Sequence, residues 1–256
     1  MNWTIIAAVN NEAVLNHSLL SSPDLKAIPD VILQRGFANA AEAYNSAIQK
    51  ASSDLLIFVH QDVYLPAGWV ASVEATLSSL AQQDPTWGVL GVWGVKSSGA
   101  TNGFLYCNAT GRVLGDRSTA FAEVQSLDEV LLIMRKSSGL TFDQAIKGYH
   151  LYGTDLCLEA AHRGLKCYSI PAFCVHNTNS YHFLPWQFWK TYLYLRKKWR
   201  EQLPINTSCT IITPWCCPMI RWIAVRTIQT LLRDVPLHKR VDDPGALYRQ
   251  ISERPL

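Results

Sequence analysis

At 256 residues, the chain is long enough for one large core, or for one domain with a sizeable appendage. With 48% hydrophobic and 17% charged residues it is not an intrinsically disordered chain, and a net charge of +3 is too small to imply a nucleic-acid partner. No window reaches the roughly 18 uninterrupted apolar residues of a membrane span, and the start, MNWTIIAAVNNEAV, lacks the basic region of a signal peptide. The seven cysteines show no paired C-x-x-C spacing, so they are expected to be reduced, mostly buried thiols in a cytoplasmic protein.

The N-terminal half alternates strand and helix signals. Trp3–Val9 reads as a strand ending in a polar loop, Asn10-Asn11-Glu12, and Pro29-Asp30 leads into a second short strand, Val31-Ile32-Leu33. Ala38–Ala51 is Ala-rich with Ala41, Tyr44 and Ile48 on one stripe, which predicts a helix. Asp54–Val59 (DLLIFV) is a β-rich apolar run, as expected for a strand covered on both faces. A helix after Pro66 to about Leu80 and a strand within Trp87–Val95 follow. Ser97–Ser126, rich in Gly, Ser, Thr and Asn, reads as a long irregular excursion with room for a small hairpin, and such loops are usually functional or mobile. Leu127–Arg135 is a further strand, and Phe142-Asp143 and Gly148-Tyr149-His150 fall in a connecting loop. Thr154–Gly164 is a helix with Thr154 as N-cap, and Lys166–Ile170 and Ala172–Val175 are short strands, the latter ending in His176-Asn177. This alternation predicts an α/β fold, a three-layer sandwich around a mostly parallel sheet.

The tail differs in character. Pro185–Gln202 is an aromatic and basic helix candidate, and Pro214–Arg233 mixes Trp215, Ile220, Trp222, Ile223 and Leu231 with Arg221, Arg226 and Arg233. A boundary near Tyr181–Pro185 divides residues 1–184 from a helical extension, 185–256. Two readings of the extension stand. It covers the core with its aromatic side chains while Lys and Arg face water, or it makes a peripheral contact with an anionic membrane surface.

The most informative stretch is Asp54–Trp69, DLLIFVHQDVYLPAGW, where a buried strand runs into His60-Gln61-Asp62. Ligands of open α/β sheets bind beyond such strand ends. Strand-like alternation would point His60 and Asp62 the same way and turn Gln61 aside. An imidazole and a carboxylate converging there make half of a divalent-metal site; the alternative is a polar pair that closes the strand.

From Ala7 to about Trp199 the order of features resembles the nucleotide-sugar glycosyltransferases of the GT-A fold. More narrowly, it resembles the family-2-type branch described as streptomycin-biosynthesis-protein-like. The resemblance is carried by Asn10-Asn11-Glu12, Ala-Tyr-Asn45-Ser-Ala-Ile, Phe58-Val-His-Gln-Asp-Val-Tyr64, Leu127-Asp-Glu129, Phe142-Asp143, Tyr149-His150 leading to Asp155-Leu-Cys-Leu158, Val175-His176 and Lys198-Trp199. FVHQDVY is its most specific element.

The resemblance implies a Rossmann-like catalytic domain. It would transfer a hexose from a nucleoside-diphosphate sugar to a glycan, lipid-linked or small-molecule acceptor, with inversion in the family's manner and with Mn2+ or Mg2+. His60-Gln61-Asp62 stands where such folds carry Asp-x-Asp, so Asp62 becomes a metal ligand and His60 either a second ligand or a phosphate hydrogen-bond donor; His176 sits where the third ligand lies, or else caps a loop. The nucleotide side falls to Asn10, Asn11, Glu12, Arg35, Asn39, Asn45, Gln61 and Asp62, any of which can instead cap or turn the chain. An inverting transferase needs a proton acceptor. Related enzymes open the Thr154–Gly164 helix with an acidic pair, but Tyr152 and Gly153 stand at those positions here. Asp155 is therefore the first candidate, with His150 to orient the acceptor or phosphate and Asp128, Glu129 and Asp143 in reserve. A sugar nucleotidyltransferase would need a Gly-rich loop after the first strand, where Val9-Asn10-Asn11-Glu12 has no glycine. A non-catalytic glycosyltransferase-like binding protein is the rival reading.

Overall fold

A computed structural model describes residues 2–28, 30–116, 120–232 and 237–253; Pro29 and Arg233, cited above, lie outside the described residues. Among these, a seven-stranded sheet runs in the order Asp30–Arg35, Trp3–Val9, Leu55–Val59, Leu131–Arg135, Val89–Gly91, Cys167–Ser169, Ala122–Val124. Alternate residues of its strands enter two cores, one on each face. Ile6, Leu56, Phe58, Leu132 and Met134 pack with the helices Ala40–Lys50, Tyr152–His162 and Trp186–Lys198. Ile5, Ala7, Ile57, Val59, Leu131 and Ile133 pack with Leu15 of the helix Glu12–His17 and with Val73, Leu77 and Leu80 of the helix Trp69–Gln83. The α/β three-layer class expected from the sequence is the one found. The sheet is mixed, however, because Leu131–Arg135 runs antiparallel to both neighbours and Ala122–Val124 antiparallel to Cys167–Ser169.

Several boundaries move for physical reasons. The Asn10-Asn11-Glu12 loop opens a short helix, because the Asn11 side chain accepts from the Val14 N–H as an N-cap. Trp87–Val95 is two strands: Val89–Gly91 stays in the large sheet, and Trp93–Val95 passes to a second one. The strand expected from Leu127 starts at Leu131, and Leu127 pairs instead with Gly94. The helix expected from Thr154 opens at Tyr152 after Leu151, whose φ of +62° is unusual for a branched residue, so Thr154 lies inside the first turn. The excursion after Ser97 contains an ordered hairpin, Thr101–Cys107 with Arg112–Gly115.

That second sheet builds the site. It carries Ser126–Leu127, Trp93–Val95, Thr101–Cys107, Val175–His176 and Val63–Tyr64, in that order. In the antiparallel pair of Val63–Tyr64 with Val175–His176, His176 lies opposite Val63. The Asn177 N–H donates to the Asp62 carbonyl at 2.8 Å, so the late strand is fastened beside the end of Leu55–Val59.

Residues after 184 share the first core. Phe188, Trp189, Tyr192 and Leu195 lie on one face of the helix Trp186–Lys198 and are buried there. Asp155 holds that helix's end. Its carboxylate accepts from Trp199 Nε1 at 2.7 Å and from Lys198 Nζ at 2.9 Å, and Lys198 also reaches Asp143 at 2.7 Å. The Asp155 side chain is 4% exposed and that of Lys198 25%. Asp155→Ala is expected to destabilise the fold by about 2–4 kcal/mol, because it strands a buried indole N–H and half of a lysine pair. Urea denaturation measures this, with Asp155→Asn losing less because it keeps an acceptor for Trp199.

Candidate metal centre

Residues 60–62 form a turn and not an extension of the strand, with the Val63 N–H donating to the His60 carbonyl at 3.1 Å. His60 and Asp62 still converge, through this turn and not through the alternation of an extended strand. Gln61 does turn aside. Its Oε1 accepts from the backbone N–H groups of Asn10 and Asn11, both at 3.1 Å, and its Nε2 donates to Asn10 Oδ1. The end of Trp3–Val9 is thereby tied to the end of Leu55–Val59.

Asp62 is 7% exposed. His176 Nε2 lies 3.5 Å from its Oδ1, and Arg240 Nη2 donates to its Oδ2 at 2.8 Å. One atom each of His60, Asp62 and His176 lie within 4.8 Å of one another, so the trio can hold a divalent cation. Burial pushes the Asp62 carboxyl up, but His176, His60 and Arg240 outweigh it and hold it well below the usual carboxylate range. Burial lowers His176, yet Asp62 and Cys107 raise it to about 10, whereas burial dominates at His60 and lowers it to about 4. His60 is therefore neutral at pH 7 and available as a ligand.

The Tyr152 hydroxyl sits 2.9 Å from His60 Nε2 and donates to the Glu129 carbonyl at 3.3 Å. A hydroxyl has one proton, so both bonds form together when His60 Nε2–H is the donor, which leaves Nδ1 with the lone pair. Tyr152 rests in turn on Tyr44, Phe58 and Phe142, packed edge to face or tilted at 4.9–5.7 Å between centroids. Gly153 follows from the same packing, since a Cβ there would meet the Leu127 carbonyl at 3.0 Å and Glu129 Cγ at 3.2 Å. The Glu129 carboxyl is buried with Oε1 unpartnered, and burial with the nearby Asp128 charge pushes it up to about 8.

A cleft of about 250 Å3 is lined by Ala8, Val9, Asn10, Tyr44, His60, Gln61, Asp62, Tyr149, His150 and Arg240. Of the residues expected on the nucleotide side, Asn10, Gln61 and Asp62 line it. The others have structural partners: Asn11 caps its helix, and Glu12 pairs with Arg35 at 2.6 Å. Asn39 caps Ala40–Lys50 through the Glu42 N–H, and Asn45 clamps Phe142 through both its N–H and carbonyl. Of the candidate proton acceptors, His150 lines the cleft, and Asp155 is engaged with Lys198 and Trp199 away from the lining. Asp128 accepts from the Val130 N–H, and its charge is felt at both His60 and His150.

Arg240 was not singled out in the sequence. The segment around it is sewn to residues 177–180: Arg240 N–H to Asn179 Oδ1, Arg240 Nε to the Asn177 carbonyl, and Val241 N–H to Asn177 Oδ1, all at 2.8–3.0 Å. Its one signal in the sequence is the basic triplet His238-Lys239-Arg240, 178 residues from Asp62.

Residues 4–187 match the glycosyltransferase-like family. A protein from Fuscovulum blasticum described as ATP synthase subunits region ORF 6 is 30% identical over 134 residues. That stretch is 50% of this chain and 53% of the relative, so the match spans about half the length of that curated relative. Among solved structures, GalNAc-T7 with UDP, GalNAc and Mn2+ superposes with a TM-score of 0.54 at 11% identity, over 78% of this chain and 49% of that one. The mannosyltransferase PcManGT from Pyrobaculum calidifontis, in complex with GDP-Man and Mn2+, gives 0.47 at 13% identity over 98% and 79%. The likeness to GalNAc-T7 shows a shared GT-A-type fold.

Two substitutions are expected to move metal binding in opposite directions. Asp62→Ala should weaken manganese binding, followed by electron paramagnetic resonance titration, by roughly a hundredfold or more, since it removes the central ligand. Arg240→Ala should strengthen binding of the free ion by about tenfold, because a cation competing for the same carboxylate is gone.

Proposed function

The chain belongs to the glycosyltransferase-like family, and from that premise we propose that it is an inverting, metal-dependent hexosyltransferase. It moves a sugar from a nucleoside-diphosphate donor to an acceptor hydroxyl. The observation that carries this reading is the convergence of His60, Asp62 and His176, with His60, Asp62 and Arg240 lining one strand-end cleft. The FVHQDVY run supports placing it in the streptomycin-biosynthesis-protein-like branch. In this reading residues 1–184 are the catalytic domain, and the extension 185–256 lends it Arg240.

The donor set fits a cation: two imidazoles and one carboxylate suit manganese better than magnesium, which prefers an all-oxygen shell. When bound at His60, Asp62 and His176, such an ion would supply positive charge that stabilises the departing diphosphate. Arg240, whose guanidinium donates to the Asp62 carboxylate at 2.8 Å, would add a second positive charge for a phosphate oxygen. At about 250 Å3 the cleft is smaller than the roughly 300–1,000 Å3 of pockets that enclose a whole small molecule. It suits the diphosphate core, with base and sugar on shallower flanking surface.

His150 is the proton acceptor this geometry favours over Asp155 and Asp128. It lines the cleft, and burial lowers its pKa, so it is neutral at pH 7. In the transfer, the acceptor oxygen bonds to the anomeric carbon as its proton passes to His150, and the bond from that carbon to the diphosphate oxygen breaks.

One observation favours a non-catalytic binding protein: Asp62 is the one carboxylate among the described residues lining the cleft. Calorimetry of nucleoside diphosphates with and without manganese, alongside hydrolysis of sugar nucleotides, separates the readings. The transferase reading expects metal-dependent binding, about tenfold weaker in Arg240→Ala. It also expects slow donor hydrolysis that falls at least a hundredfold in His150→Gln while diphosphate affinity is kept. Tight metal-dependent binding with no turnover of any donor would favour the binding protein.

A further inference from the structure

The helix Cys217–Leu232 is held to the body by one side and bare on the other. On the inner side Met219 and Trp222 pack against the core, and Trp222 meets Trp189 edge to face at 5.3 Å. On the outer side Ile220, Ile228 and Leu231 are 60%, 56% and 77% exposed, with Ile223 also exposed and Trp215 74% exposed just before the helix. At about 100° per residue the four helical positions occupy one arc of roughly 140°, on the side away from Trp222. Contiguous apolar surface of this kind on a folded chain marks an interaction site.

The charges around the arc say what covers it. From Gln202 to Leu232 the sequence has no Asp or Glu, and its charged residues are Arg221 and Arg226. Arg221 lies at one margin of the arc, and Arg226 lies beyond the other, its guanidinium 5.6 Å from the Trp222 ring centre. Lys190 and Lys197 are exposed on the neighbouring helix Trp186–Lys198, whereas Arg200 is paired with the exposed Glu201 at 3.6 Å. An apolar ridge flanked by arginines, with no acidic residue between Gln202 and Leu232, complements an anionic bilayer: the ridge enters the acyl boundary while the guanidinium groups stay at headgroup level. Among the described residues no helix is long and apolar enough to cross a membrane, so this contact lies in the interface.

We propose that Cys217–Leu232 is an interfacial helix that docks the protein on anionic lipid through Ile220, Ile223, Ile228 and Leu231. The proposal stands on the helix surface and does not rest on the transferase reading. The test is sedimentation of the full chain with vesicles of phosphatidylcholine alone and with phosphatidylglycerol added. Partition into the anionic vesicles should be at least tenfold stronger and should weaken as salt rises. Ile228→Glu combined with Leu231→Glu should reduce it at least tenfold, and Arg221→Glu should remove much of the preference for anionic lipid. Both variants change exposed side chains remote from the metal centre. Unchanged manganese binding therefore certifies a folded protein and keeps this outcome separate from failure of the metal site. Absence of wild-type binding, or binding that neither variant alters, would overturn the proposal. So would a dimer in sedimentation velocity that Ile228→Glu converts to monomer, because a second copy would then be what covers the face.

Discussion

A carboxylate at the inner end of a central strand cannot remain buried without positive charge beside it, and the organisation of this protein around Asp62 follows from that constraint. Two side chains meet the demand from distant parts of the chain, His176 from a late strand and Arg240 from the tail, and the neutral His60 of the same turn lies beside them. A buried charge compensated this heavily is costly if any partner is lost. In the proposed function it is also convertible, because a divalent cation would replace part of that compensation, freeing the arginine and displacing the proton of His176 as its imidazole becomes a ligand.

The fold supplies this arrangement by joining two sheets at one corner. The central sheet delivers Leu55–Val59 and the turn after it. The smaller sheet delivers His176, because Val175–His176 pairs with the strand that leaves Asp62. The aromatic packing beneath, Tyr44, Phe58, Phe142 and Tyr152, then fixes the His60 ring from behind. Tyr152 and Gly153, which looked like losses of an acidic pair, have positive physical roles. The tyrosine hydroxyl orients a ligand histidine, and the glycine leaves room for Glu129 and the Leu127 carbonyl. In the proposed transfer the proton acceptor is then His150, in the loop before that helix.

Local chemistry was legible in the sequence and long-range assembly was not. The strands Trp3–Val9 and Leu55–Val59 and the helix Ala40–Lys50 follow from apolar runs and periodicity, the approach of His60 and Asp62 from polar residues at a strand end, and the placing of His176 beside them only from the family resemblance. Asn11 and Asn39 illustrate the limit. A polar residue after a strand reads equally as a ligand or as an N-cap, and only coordinates show their side chains capping the next helix. Arg240 had no local signal beyond a basic triplet, because its place is set by hydrogen bonds to Asn177 and Asn179, residues distant in sequence. The antiparallel course of Leu131–Arg135 was likewise hidden, since a strand buried on both faces carries no mark of its direction.

The central claim is that the Asp62 cluster and Arg240 together bind a metal–diphosphate unit. The most direct measurement is anomalous diffraction from crystals grown with manganese and a nucleoside diphosphate. The account predicts a manganese peak within bonding distance of Asp62 and His176, with the Arg240 guanidinium turned from the carboxylate onto a phosphate oxygen. A manganese peak elsewhere, with Arg240 still paired to Asp62, would contradict it.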